Sequence, residues 1–273
     1  MARYRSMWAI ALVAIALAGA GCLRGAYVAA TTSPAVHVAP PPHGGIQPQV
    51  VVDGAGTAHF VFFRGDPVAG DLYYTQRAPR TGAFSPPVRV NDRPGAAVAV
   101  GTIRGPQLAV GPNGTVHVVW FGSRDSVPGG SSAPFLYARL PAGASAFTPA
   151  RNLMRITTGL DGGGSIAVAA DGTVFAVWHA VDRPGAAETA RRVWLAVSRD
   201  EGATFSTERA VDPPGTGVCP CCMLRAHVDR TGVLTIFYRA ATGGRERGMH
   251  LLRSADRGAT FRSSVVHPWS IDT

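Results

Sequence analysis

Gln107-Leu108-Ala109-Val110-Gly111-Pro112-Asn113-Gly114-Thr115-Val116-His117-Val118-Val119-Trp120 is a short apolar strand, an Asn-Gly turn and a second apolar strand, the pattern of a β-hairpin. It recurs at 49–62, 165–178 and 225–238, with turn glycines Gly56, Gly114, Gly172 and Gly232 spaced by 58, 58 and 60 residues. After each hairpin a third strand is predicted, at Asp71–Gln76, Phe135–Arg139, Val193–Ser198 and Met249–Ser254. A Gly-rich turn follows, closing on Phe84, Phe147, Phe205 or Phe261, and Val88–Asn91 and Glu208–Val211 read as fourth strands. None of the units carries apolar residues at the three-to-four spacing of a helix. Four short strands per unit at a long, steady period predict an all-β chain over residues 46–273, a β-propeller of four-stranded blades.

Two of the turns share a sharper pattern. Ser198-Arg199-Asp200-Glu201-Gly202-Ala203-Thr204-Phe205 and Ser254-Ala255-Asp256-Arg257-Gly258-Ala259-Thr260-Phe261 both read S-x-D-x-G-x-T-F. A carboxylate and two hydroxyls can bond the turn amides, the glycine takes a positive φ, and the aromatic ring is free to pack between sheets. The pattern resembles the Asp-box, or BNR repeat, of the sialidase superfamily, and the resemblance covers most of the chain after Gly45. It implies that Ser198, Asp200, Gly202, Thr204, Phe205, Ser254, Asp256, Gly258, Thr260 and Phe261 are structural and lie away from the catalytic face. It also implies a six-bladed parent, for which about 350 residues are needed at this period. Four units are visible, so the chain is expected to be truncated, to close with four blades, or to assemble with another chain; truncation is the first of these expectations.

In a sialidase-like propeller the loops from second to third strands and from blade to blade share one face. Mapping them collects Arg64, Asp66, Arg124, Asp125, His179, Asp182, Arg245 and Arg247 as ligand-facing positions, with Asp92, Arg104 and Asp161 beside them. An Arg-rich rim with carboxylates suits a glycan or another anionic ligand. Sialidases use three arginines, a Tyr–Glu nucleophile pair and an Asp acid/base. Asp66 matches the Asp by position, Glu188 is the glutamate available, and Arg239, Arg245 and Arg247 are the arginines available as a second clamp. Ile46 stands where the first clamp arginine would be. The sequence therefore predicts recognition of a carbohydrate or anionic small ligand first, with exo-α-sialidase hydrolysis in a complete parent or a non-catalytic envelope scaffold as alternatives.

Composition narrows the rest. The chain is 46% hydrophobic and only 16% charged, which supplies a sizeable core and excludes general disorder. Its 26 basic residues are all arginine, giving a formal charge of +9. Without lysine there is no phosphate-loop, Schiff-base or kinase lysine. The arginines are scattered, with no basic stripe or recognition helix, so no nucleic acid partner is expected. Arg3 and Arg5, the apolar run Met7–Leu17 and the small residues up to Gly21 read as a signal peptide over 1–21. Cys22 then either receives the lipid of a bacterial lipoprotein or follows an ordinary cleavage site. Residues 22–45 read as a tether, and the domain is expected outside the cytoplasm, touching a membrane only through that lipid.

Cys219-Pro220-Cys221-Cys222 leaves three cysteines in the exported domain. An odd number predicts a disulfide with one thiol over, balanced by a cysteine further downstream. Closely spaced sulfurs also suit a soft cation such as Cu(I) or Zn(II). The disulfide is the first expectation, and no cofactor is expected.

Overall fold

The computed structural model describes residues 38–101, 103–126 and 132–271. The signal segment, Cys22 and the tether up to residue 37 lie outside the described residues. All strands fall within the compact unit Pro40–Thr273.

Four antiparallel sheets follow one another along the chain, each with its strands in sequence order. Blade one holds β1 (Ile46–Val52), β2 (Ala58–Asp66), β3 (Ala69–Arg77) and β4 (Val88–Arg89). Blade two holds β5 (Gln107–Val110), β6 (Val116–Phe121), β7 (Phe135–Leu140) and β8 (Arg151–Asn152). Blade three holds β9 (Gly164–Val168), β10 (Val174–Ala180), β11 (Arg192–Ser198) and β12 (Arg209–Ala210). Blade four holds β13 (Arg225–Val228), β14 (Leu234–Arg239), β15 (Met249–Ser254) and β16 (Arg262–His267). The first strands β1, β5, β9 and β13 pack on one another in succession, as blades arranged about an axis require. The propeller-type array of sheets is not closed.

The first hairpin of each blade turns on the same geometry. Gly56, Gly114, Gly172 and Gly232 have φ of 83°, 85°, 82° and 83°, a region that disfavours any Cβ. The preceding Asp or Asn closes the turn: Asp53, Asn113, Asp171 and Asp229 each accept a backbone N–H through Oδ1, from Thr57, Thr115, Thr173 and Val233 at 2.9–3.0 Å.

Strand alternation then sends side chains to two different cores. In β6, Val116, Val118 and Trp120 pack with Val61, Phe63 and Leu72 of blade one, whereas Val119 and Phe121 pack with Ala176 and Trp178 of blade three. In β10, Phe175 and Val177 face Leu234 and Ile236 of blade four. The middle blades are covered on both faces, so β6 and β10 are buried throughout and apolar at nearly every position. Blades one and four have one outer face, and there β1 and β14 alternate. Residues next to the N-terminal end of β1 close part of blade one's outer face: His43 stacks on Phe62 at 6.0 Å, and a Cβ on Gly45 would lie 2.2 Å from that ring. Trp120 and Trp178 are fully buried and bond Ala96 O and Thr157 Oγ1, which accounts for them as packing residues.

The S-x-D-x-G-x-T-F turns dock each blade on the one before. Asp200 Oδ1 accepts from Ser198 Oγ at 2.7 Å and Thr204 N at 2.8 Å, and Ser198 Oγ accepts the Gly202 N–H at 2.7 Å. The same bonds recur at Ser254, Asp256, Gly258 and Thr260. Phe205 then meets Tyr137 of blade two edge-on at 4.9 Å, and Phe261 packs in the core between blades three and four. An arginine from the preceding blade caps the turn carbonyls. Arg151 donates to Gly202 O and Ala203 O at 2.8 and 2.6 Å; Arg209, 58 residues on, donates to Ala259 O at 2.8 Å. Buried Glu208 gathers the N–H groups of Arg155, Ile156 and Thr157 on Oε1 at 2.7–3.2 Å, fixing the segment that enters blade three.

Candidate functional site

Antiparallel order puts the β2–β3 type loops and the blade-to-blade segments at the end of the sheets opposite the glycine turns. On this face, charged pairs tie neighbouring blades. Arg104, entering blade two, donates through Nε to Asp161 O at 2.9 Å and pairs with the Asp161 carboxylate, entering blade three. Arg247 in the β14–β15 loop grips Glu188 with both terminal nitrogens, Nη2 to Oε2 at 3.2 Å. Glu188 lies in the 3-10 turn Glu188–Ala190 of blade three, so this pair spans blades three and four.

The densest arrangement is at blade four. Arg239, the last residue of β14, places its guanidinium carbon 4.5 Å from the Trp269 ring centroid. Its Nε donates to Arg247 O at 3.2 Å and its Nη1 lies 3.6 Å from Cys222 Sγ. Trp269 is 48% exposed. It borders a groove of about 370 Å³ lined by Glu246, Gly248, His250, Val265, Pro268, Trp269 and Ser270. The segment carrying Trp269 runs beside the β14–β15 loop, through Arg247 N to Trp269 O at 2.7 Å and Ile271 N to Arg245 O at 2.9 Å.

His179, at the end of β10, is fully buried, and its Nε2 bonds Cys222 O at 3.0 Å. Burial and the nearby Arg191 charge push it down to about 4, so it is neutral at pH 7. His117, bonded to Tyr137 Oη at 2.8 Å, is likewise held at about 4 by burial and then by Arg139. A histidine whose value falls on folding binds protons more readily in the unfolded chain. Stability is therefore full above about pH 6.5 and declines as pH falls toward 4, by about 2 kcal/mol per histidine at pH 5. Urea unfolding at pH 7 and pH 5 is expected to show this fall, and His117→Gln should flatten it; an unchanged midpoint would refute the account.

The sequence-predicted positions separate into groups. Arg245 is exposed in the β14–β15 loop beside Arg247, and both join the Trp269 region. Arg64 is exposed on blade one and stacks over Tyr73 at 5.4 Å. Asp66, at the tip of the β2–β3 hairpin, accepts the Val68 N–H at 2.9 Å. Arg124 is exposed and shares the 3-10 turn Arg124–Ser126 with Asp125. Asp182 is exposed with Arg183 at 3.8 Å. Two participants carried little signal in the sequence. Buried Arg191 adjoins a second arginine and donates to Gly159 O at 2.6 Å. Trp269 sits in the tail after β16, outside the four repeats, and pairs with blade four's own loop.

Cys219 is buried, Cys222 half-buried and Cys221 exposed, all as thiols. Their sulfurs lie within 4.8 Å of one another, Cys219 Sγ being 3.5 Å from Cys221 and 3.1 Å from Cys222.

No protein-family model matches the sequence, and no curated protein is similar to it. Solved structures do share the fold. A Trypanosoma rangeli sialidase in complex with the inhibitor DANA is 13% identical with a TM-score of 0.55, over 80% of this chain and 37% of its own. The Hadza microbial sialidase Hz136 is 15% identical with a TM-score of 0.53, over 81% and 46%. A Penicillium chrysogenum α-L-arabinanase complexed with arabinobiose is 13% identical with a TM-score of 0.51, over 80% and 65%. This chain thus spans less than two thirds of the length of each, and at these identities the likeness is one of fold.

Proposed function

We propose that this is an exported sialidase-like propeller that recognises an acidic carbohydrate on the face formed by the blade-to-blade and β14–β15 loops. The observation carrying the proposal is the half-exposed Trp269 ring, backed by Arg239 and flanked by Arg245 and Arg247. An exposed aromatic ring stacks on the apolar side of a sugar ring, and the positive charge of the Arg-rich loop attracts its carboxylate or sulfate. Sugar-active neighbours of the same fold support this ligand class, and the S-x-D-x-G-x-T-F turns are read as Asp-boxes on the same grounds. Residues 1–21 as a signal and Cys22 as the lipid attachment or cleavage point belong to the same proposal, which places the domain outside the cytoplasm.

Binding is favoured over hydrolysis by two observations. Asp66 is engaged in its own hairpin tip, and Glu188 is held by Arg247 on the side of blade four. Isothermal titration with sialylated, uronic-acid and sulfated oligosaccharides is expected to give saturable, salt-sensitive binding. Trp269→Ala should weaken it about tenfold or more, with no release of the aglycone from a fluorogenic sialoside. Turnover lost on Asp66→Asn would instead make the protein a glycoside hydrolase, and neither binding nor turnover would leave an envelope scaffold.

A further inference from the structure

The cysteine cluster borders Arg239 and Arg247 of the carbohydrate proposal but does not rest on that reading. Cys219, Cys221 and Cys222 occupy the segment between blade three's last strand and blade four's first, and that segment is clamped by its backbone. The Cys219 N–H donates to Arg239 O at 3.0 Å and Cys222 O is bonded by His179 Nε2 at 3.0 Å. Gly162 makes the clamp possible: a Cβ there would lie 2.6 Å from Pro220 O and 2.7 Å from Cys222 O. Held this way, the chain turns all three sulfurs toward one another, within 4.8 Å. A disulfide would use two of them and leave the third unexplained.

We infer that Cys219, Cys221 and Cys222 form a three-thiolate site for a soft monovalent cation, Cu(I). With metal–sulfur bonds of about 2.3 Å, three sulfurs around one cation stand about 4 Å apart, so Cys219 Sγ, 3.5 Å from Cys221 and 3.1 Å from Cys222, parts from each by less than about 1 Å to admit it. Soft thiolates suit both Cu(I) and Zn(II), but three sulfurs and no fourth ligand among the described residues do not meet the four-coordinate preference of structural zinc, whereas Cu(I) is satisfied by three. Charge agrees. Three thiolates around Cu(I) carry a net charge of −2, and the Arg239 guanidinium stands 3.6 Å from Cys222 Sγ. Exposed Cys221 gives the cation a way in. Binding replaces each S–H proton by a metal–sulfur bond and releases the protons to solvent, with no change of oxidation state.

The test uses the full chain carrying Cys22→Ser, reduced and kept under nitrogen. Cu(I) supplied from a bathocuproine disulfonate complex is expected to bind one per chain, with a thiolate-to-copper absorption band and three sulfur neighbours in X-ray absorption. Zn(II) should bind at least a thousandfold more weakly. Cys221→Ser, at an exposed position, should keep the circular dichroism spectrum and lose at least a hundredfold in Cu(I) affinity. Failure to take copper from the chelator, equal affinity for Zn(II), or unchanged affinity in Cys221→Ser would each overturn the inference. So would recovery of a Cys219–Cys222 disulfide that resists glutathione.

Discussion

Gly202→Ala is expected to cost about 3–5 kcal/mol of unfolding free energy, against about 1–2 kcal/mol for Gly258→Ala. Both glycines occupy the same turn position with nearly equal φ, 78° and 81°, so the backbone penalty of a Cβ in the left-handed region is common to both. Their surroundings differ. A Cβ on Gly202 would fall 1.8 Å from Tyr137 Oη and 3.2 Å from His117 Nδ1; on Gly258 it would meet Leu195 Cδ2 at 3.0 Å. A leucine methyl can swing aside. The Tyr137 hydroxyl is bonded to His117 inside the interface of blades two and three, so moving it breaks a buried hydrogen bond and disturbs the Phe205 contact. Urea unfolding of the two variants measures the difference. Tyr137→Phe added to Gly202→Ala should recover about 1 kcal/mol or more relative to additivity, since it removes the clashing atom. Equal losses in the two glycine variants would mean that the backbone, not the docking of the turn, sets the cost.

That contrast shows how far local sequence reaches. The four glycine turns and the third strands are legible because strand alternation and φ > 0 depend on neighbouring residues alone. Phe205 and Phe261 are legible as packing residues for the same reason. Nothing local says that Arg151 will cap the Gly202 turn 51 residues away, or that Arg209 will do the same for the Gly258 turn. Only the succession of blades makes those pairs. The face was legible as a set of loops, because the repeat fixes which connections share an end. It was not legible as a constellation: Arg245 and Arg247 come together with Trp269 and Arg239, while Asp66 and Arg64 belong to blade one's hairpin. The choice between partners depends on tertiary packing that the repeat does not encode. The cysteines illustrate the same limit. Their spacing allows a disulfide or a cation, and it is the clamp made by Arg239 O, His179 and the bare Gly162 that brings three sulfurs together.

Asp212→Ala is expected to cost about 3–5 kcal/mol, whereas Asp212→Asn should cost within about 1 kcal/mol of nothing. Asp212 ends blade three's fourth-strand segment with its side chain fully buried. Both of its oxygens lie 3.0 Å from Arg192 Nε, and Oδ1 also accepts the Val193 N–H at 2.9 Å. Blade one performs the backbone part with an amide: Asn91 Oδ1 accepts the Leu72 N–H at 2.8 Å. Burial raises the Asp212 carboxyl above its ordinary value even though Arg192 opposes it, so the charge is held at a cost. Both substitutions remove the counter-charge, but alanine also removes the acceptor and side-chain volume, leaving a buried N–H unsatisfied beside a cavity. Asparagine keeps the acceptor that Asn91 shows to be sufficient and removes the cost of the buried charge, and Arg192, with a quarter of its side chain exposed, still reaches water. Urea unfolding at pH 7 separates the two variants. Equal destabilisation would make the ion pair, rather than the bond to β11, what holds this corner, and the equivalence drawn with Asn91 would fail.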